Sequence, residues 1–183
     1  RTPCDRPDAI YPTIGELMTE SNPQTAGQIR LTGEDEMVSF AGRMSLILKG
    51  GGLVFLEGTL GAGKTTLSRG LIQALGHTGP VKSPTYTLVE EYDLPEGRVC
   101  HFDLYRLGDP EELEYMGIRE YLTDGTLCLI EWPERGRGVL PEADLAIHID
   151  DVGEARILNW QAETDKGAQW SRQLQQLVKE WQE

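Results

Sequence analysis

The sequence predicts an α/β fold: a single three-layer domain on a mixed sheet, with a parallel core and antiparallel hairpins beside it. Three observations predict it. An apolar run at residues 53–56 leads directly into a glycine-rich loop and then a helical pattern, the order of strand, tight turn and crossover helix. A second unbroken apolar run, Leu127-Cys128-Leu129-Ile130, stops at Glu131 and has the length and composition of a buried strand. Two further pairs of strand-like segments, 86–92 with 98–105 and 143–149 with 156–161, predict hairpins.

The elements follow in order. Residues 1–30 contain Pro3, Pro7, Pro12 and Pro23 without a clear period and predict an irregular N-terminal extension with one short helix at 14–18. The domain proper is expected over 31–162. Thr32 stands ready to cap a helix whose first turn holds Glu34, Asp35 and Glu36, acids that favour the positive end of a helix dipole. Met37, Phe40, Ala41, Met44, Ile47 and Leu48 fall on one face of it, and Gly50, Gly51 and Gly52 end it. After the strand and loop, a helix beginning near Lys64 buries Leu67, Leu71, Ala74 and Leu75 and stops at Gly76. Pro95-Glu96-Gly97 turns the first hairpin. Asp109-Pro110-Glu111-Glu112 predicts a helix start, with cap, proline and acids in sequence, running to about residue 122. Trp170, Leu174, Leu177, Val178 and Trp181 give residues 163–183 an amphipathic helix expected to pack on the domain.

Composition narrows the partners. A length of 183 residues suits one domain, and 39% hydrophobic with 26% charged residues is ordinary globular composition. No apolar run approaches a membrane span, and nothing near the start has the build of a signal peptide. The formal net charge of -13 repels phosphate backbones, and no basic cluster offsets it, so direct, tight binding of nucleic acid by this chain alone is not expected. Cys4, Cys100 and Cys128 are an odd, sparse set, which predicts free thiols and a cytoplasmic setting rather than a disulfide framework.

The chemistry centres on Gly58-Thr59-Leu60-Gly61-Ala62-Gly63-Lys64-Thr65, a complete G-x-x-x-x-G-K-T phosphate loop in its proper strand–loop–helix context. Its glycines let the backbone wrap a phosphate with several N–H groups pointing inward, and the helix that follows adds its positive end. Lys64 is expected on the β- and γ-phosphates of a nucleoside triphosphate, and the Thr65 hydroxyl on magnesium. Such a site needs an acid to organise the metal. Glu131 and Asp103 are the candidates, since each follows a strand-like run and a carboxylate there is costly unless paired. Ser83-Pro84-Thr85 lies in the loop after the nucleotide-binding helix, where nucleotide switches carry a hydroxyl that senses the γ-phosphate; an ordinary turn explains it equally well. His101 shares strand parity with Asp103 and is expected to be a packed, hydrogen-bonded residue rather than a base. The histidines and cysteines lack zinc-site spacing, and no G-x-S-x-G nucleophile motif or guanine-specific N-K-x-D motif is present.

Five segments in order and spacing resemble the TsaE family, the ATPase of bacterial tRNA threonylcarbamoyladenosine biosynthesis: GTLGAGKTT at 58–66, KSPTYTLVEEY at 82–92, HFDLYRL at 101–107, DPEELEYMGI at 109–118 and IEWPE at 130–134. The resemblance covers about residues 31–150. It implies ATP and Mg2+ as cofactors, hydrolysis that resets a complex with TsaB and TsaD, and contact with tRNA only through that complex. Carried over residue by residue, the loop through Thr66 binds nucleotide, and Lys64, Thr85, Asp103 and Glu131 serve hydrolysis. Thr65, Glu131 and Asp103 lie at the magnesium, and Trp132 lies beside the nucleotide. Two other readings compete. A small-molecule kinase would use Arg135 and Arg137 on a closing lid, and a non-catalytic nucleotide-dependent module would work through its hairpins and tail.

Overall fold

The computed structural model describes residues 24–183. The short helix expected at 14–18 lies outside the described residues. In chain order the elements are strand β1 (Ala26–Thr32), helix α1 (Gly33–Leu48), β2 (Gly52–Glu57), α2 (Lys64–Ala74), β3 (Val89–Leu94), β4 (Gly97–Asp103), the short helices α3 (Glu111–Tyr115) and α4 (Ile118–Tyr121), β5 (Thr126–Glu131), a 3-10 turn (Pro133–Gly136), β6 (Leu145–Val152), β7 (Ala155–Ala162) and α5 (Asp165–Gln182).

The strands form a seven-stranded sheet in the order β1-β7-β6-β2-β5-β4-β3. β6, β2, β5 and β4 are mutually parallel, whereas β7 and β1 at one edge and β3 at the other pair antiparallel. The mixed sheet with a parallel core is therefore found. Side-chain alternation divides the apolar residues between its two faces. Leu127 and Leu129 of β5 and Val54 and Leu56 of β2 share a core with Phe40 of α1, Leu71 of α2 and Leu174 of α5. Cys128 and Ile130 point the other way, to a second core with Phe102, Leu104, Leu113 and Ile118. Helices thus cover both faces, making three layers. Because β5 is buried along its whole length, its continuous apolar run is required on both sides.

Four local expectations change. Residues 26–30 are not irregular: they form most of β1, which pairs with β7 in antiparallel register from Ala26↔Gln161 to Thr32↔Ala155. Ile29 and Leu31 face the core between exposed neighbours. That alternation is too short to stand out from the proline-rich residues before it, and the pairing partner lies far along the chain. Thr32 does not cap α1 with its side chain; instead its N–H donates to Glu36 Oε2 at 2.6 Å. The helix expected over 110–122 is broken into α3 and α4 by Gly117, whose φ of 74° is left-handed. The segment 86–88 expected in the first hairpin is a turn instead, closed by Leu88 N–H donating to Pro84 O at 2.7 Å.

α5 is fastened at its start. Thr164 Oγ1 accepts from Gly167 N–H at 3.1 Å and donates to Asp144 Oδ1 at 2.6 Å, while Asp144 Oδ2 accepts from Leu53 N–H at 2.8 Å. One acid thereby joins the helix cap to the central strand. Further along, Trp160 Nε1 donates to the buried Ser171 hydroxyl at 3.0 Å, and Trp181 meets Phe40 edge-on at 5.5 Å. A Cβ at Gly167 would overlap the Asp144 carbonyl oxygen, a backbone atom unable to swing aside. Gly167→Ala is expected to lift the first turn of α5 and cost about 1–3 kcal/mol, read as a lower urea midpoint. An unchanged midpoint would show that this docking contributes little.

Candidate functional site

The glycine-rich loop joins β2 to α2 and lies at the C-terminal ends of β2 and β5, the position where parallel α/β sheets bind ligands. Two glycines are there for conformational reasons. Gly58 has φ 145° and its backbone runs so close to Ile149 that a Cβ would stand 2.7 Å from that carbonyl oxygen. Gly63 flanks the start of α2 with φ 116°, a left-handed conformation that side chains resist. The loop is closed on itself by Ala62 N–H donating to Thr59 O at 3.1 Å. It is also held from outside: Arg156 on β7 donates through Nε to Ala62 O at 2.9 Å, and through a terminal nitrogen to Asp151 Oδ1 and Gly153 O, each at 2.9 Å. Sequence reasoning missed Arg156. It carries no motif, and its only signal is a basic residue in a strand otherwise chosen for packing.

Lys64, the first residue of α2, is buried. Its ammonium donates to Gly58 O at 2.7 Å and Thr59 O at 2.8 Å and lies 4.3 Å from the centre of the Trp132 ring. Burial pushes its pKa below the ordinary lysine value; Glu131, Asp103 and Glu134 oppose that shift. Trp132 reaches this position because its backbone is left-handed, with φ 57°. That conformation is uncommon for a bulky residue and costs on the order of 1–3 kcal/mol. It turns the chain sharply at the end of β5 and lays the indole against Tyr105, with ring centroids 5.0 Å apart.

The two strand-end acids stand opposite each other in the β4–β5 register but have different partners. Glu131 is 2% exposed, and its oxygens lie 3.0 and 3.2 Å from the Thr65 hydroxyl that donates to it. His101 Nε2 approaches Glu131 Oε2 to 2.6 Å; the packed, hydrogen-bonded histidine is therefore found, bonded to a site acid. Asp103 Oδ2 accepts from Ser83 Oγ at 2.7 Å and Thr85 Oγ1 at 2.8 Å, and Oδ1 accepts from Tyr105 N–H at 3.0 Å. Asp103 thus ties the loop after α2 to the end of β4. Ser83, left open between switch and ordinary turn, shares this anchor with Thr85.

A cavity of ≈ 320 Å³ collects Leu60, Gly61, Gly63, Lys64, Thr65 and Thr66 with Ser83, Thr85, Asp103, Glu131 and Trp132. Gly58 and Thr59 line a neighbouring cleft of ≈ 520 Å³ with Trp132, Glu134, Arg137 and His148. Ala62, within the loop, is buried. On the other side of Thr66 a second cavity of ≈ 320 Å³ is bounded by Met37, Glu34, Gly153, Glu154 and Arg156. Of the arginines considered for a lid, Arg137 lines the cleft and Arg135 lies 5.8 Å from the Tyr105 ring.

Comparison with known proteins identifies the family. Residues 31–158 match the family model described as threonylcarbamoyl adenosine biosynthesis protein TsaE. The chain is 58% identical over 115 residues to the tRNA threonylcarbamoyladenosine biosynthesis protein TsaE of Haemophilus influenzae, covering 63% of this chain and 73% of that one. The TsaE protein of Aquifex aeolicus is 36% identical over 129 residues, 69% of this chain and 89% of its own. The crystal structure of Bacillus subtilis YdiB superposes with a TM-score of 0.70 at 29% identity, covering 83% of this chain and 95% of the other.

The depressed Lys64 value has a consequence for pH. Between that value and the ordinary 10.5, the unfolded chain binds more protons than the folded chain, so stability rises with pH across this window. Lys64→Met removes the contribution. Without nucleotide, the unfolding free energy of the wild type relative to this variant is expected to rise with pH as the ordinary lysine value of 10.5 is approached from below. Urea titrations giving a flat or falling difference would contradict the assignment.

Proposed function

The chain belongs to the TsaE family, and from that premise we propose that it binds and hydrolyses ATP, with magnesium, within the machinery of tRNA threonylcarbamoyladenosine biosynthesis. The observation that carries this reading is the contact of Thr65 and Glu131, 3.0 Å apart beneath the phosphate loop. A hydroxyl and a carboxylate are hard oxygen donors, and magnesium is held through one or two such groups together with substrate phosphates. Among the described residues no three His, Cys, Asp or Glu side chains cluster as a metal site, so an ion here would share its shell with nucleotide and water. The donor set fits that group. Thr65 and Glu131 would hold it, and the metal would supply charge neutralisation on the phosphates.

The chain's own residues account for the rest. The loop N–H groups and the positive end of α2 bind phosphate. Lys64, held in this structure by two loop carbonyls, is in reach to exchange them for phosphate oxygens. Asp103 orders Ser83 and Thr85 at the edge of the cavity, in keeping with a loop that responds to the terminal phosphate. Thr66 leads toward the cavity at Met37 and Arg156, the side on which we place the nucleoside. Trp132 and Tyr105 wall off the opposite side and limit water.

We further infer that the energy of hydrolysis resets a complex with TsaB and TsaD. Leu60, within the phosphate loop, and Tyr86, next to the Ser83–Thr85 loop and stacked by Arg106, are 73% and 83% exposed, which suits a partner that covers the nucleotide. A net charge of -13 suits contact with tRNA only through such partners. Cys100 and Cys128 are free and buried, in keeping with the cytoplasm.

Glu131→Gln tests the site. Hydrolysis is expected to fall about 100-fold or more, the scale of a group that activates or positions the attacking water, while ADP still binds by calorimetry; undiminished turnover would sink the catalytic assignment. Tagged protein is expected to retain TsaB and TsaD in pull-downs with ATP and to hydrolyse ATP faster with them. Added tRNA should weaken that association. Recovery of neither partner would remove the resetting role.

A further inference from the structure

His101 touches a proposed metal-holding residue, and the proposed chemistry gives it no task. It sits on β4 opposite Leu129 of β5, two residues short of the Asp103–Glu131 pair, on the same face of the sheet as both acids. It is fully buried. A fully buried position on β4, flanked in the sheet by β5 and β3, favours an aliphatic side chain, and an imidazole there must satisfy two nitrogens. Only one is satisfied. Nε2 lies 2.6 Å from Glu131 Oε2, whereas Nδ1 is buried with no hydrogen-bond partner. Leaving a buried ring nitrogen bare is costly, so the contact with Glu131 is what the residue is there to make. Because a carboxylate oxygen accepts, Nε2 is the donor to Glu131, and Nδ1 is left without a partner.

The consequence falls on the orientation of Glu131. Its side chain has two side-chain donors in the structure, Thr65 and His101. Thr65 is itself on the phosphate loop, and its hydroxyl is the group expected to turn toward a metal. His101 is the donor fixed in the sheet. By taking Oε2 it holds the carboxylate plane so that Oε1 faces Thr65. We propose that His101 is a positioning residue for Glu131, setting the side of the carboxylate that meets magnesium and the attacking water. Groups in this relation to a metal ligand typically alter metal affinity or activity by about 10–100-fold. The proposal rests on the reading above that Glu131 faces the metal.

The experiment compares His101→Leu, which fills the space without a donor, and His101→Gln, whose amide offers an N–H near the same place, each alone and combined with Glu131→Gln. The magnesium concentration for half-maximal ATP turnover and the magnesium dependence of ADP affinity by calorimetry are measured with the partners present. His101→Leu is expected to raise the magnesium requirement about 10-fold or more while metal-free ADP affinity stays within about twofold. His101→Gln should recover most of the loss. In the Glu131→Gln background His101→Leu should add nothing, since its effect passes through the carboxylate. Thermal unfolding of each variant separates this from loss of fold, which would weaken metal-free ADP binding as well. A normal magnesium response in His101→Leu, or full additivity with Glu131→Gln, overturns the positioning role alone. A wild-type protein with no magnesium response overturns this proposal and the metal reading together.

Discussion

Lys64 and Glu131 are almost fully withdrawn from water at the tips of a hydrophobic sheet, and a buried charge persists only where other groups neutralise or hydrogen-bond it. Much of the ligand end of the molecule follows from that constraint. Lys64 is satisfied by two carbonyls that come within its reach because glycines bend the loop back over it. The Trp132 face that approaches its ammonium requires a left-handed residue at the end of β5. Glu131 is satisfied by Thr65 from the helix side and His101 from the strand side. Neither arrangement is optimal for folding: one stores backbone strain and the other leaves Nδ1 of His101 unpaired. A stability-driven design would replace these groups with leucines and valines. Their presence marks the part of the fold shaped by something other than packing.

Asp103 solves the same problem differently. It stands opposite Glu131 in register, and two carboxylates lining one cavity repel each other unless each is engaged by its own partners. The structure divides the labour. Glu131 is taken by the phosphate-loop side, and Asp103 by Ser83, Thr85 and a backbone N–H. One acid thereby ties down the phosphate-loop side of the cavity and the other its Ser83–Thr85 side, so a disturbance at either strand tip reaches a different wall of the same cavity.

What could be read from the sequence divides along the same line. The parallel core was legible because β2 and β5 are short apolar runs flanked by unmistakable punctuation, and the site because the loop motif ties glycines, lysine and threonine to one known geometry. The strand ending in Glu131 was legible because an acid after four apolar residues is physically expensive. The elements that escaped depend on distant partners. β1 is a strand only because β7 lies alongside it, and Gly27 is required there because the Trp160 indole occupies the space of a side chain. The break at Gly117 turns on one backbone angle in a segment whose composition suits a continuous helix. The division of roles between Asp103 and Glu131 depends on which hydroxyls reach each, and spacing alone cannot encode that.

Arg156 shows what such wiring means for how the sequence can change. On β7, at the far side of the sheet from β5, many strand-forming residues would satisfy local packing. The side chain nonetheless bridges the phosphate loop at Ala62, the end of β6 at Asp151 and the β6–β7 turn at Gly153. A lysine offers no planar fork to serve both ends at once, and an apolar residue leaves the Ala62 carbonyl without this donor. The position should therefore tolerate substitution no better than the loop glycines, although it lies outside every recognisable motif. A search for drifted relatives that scores the phosphate loop alone would overlook the peripheral residue that keeps the loop in shape.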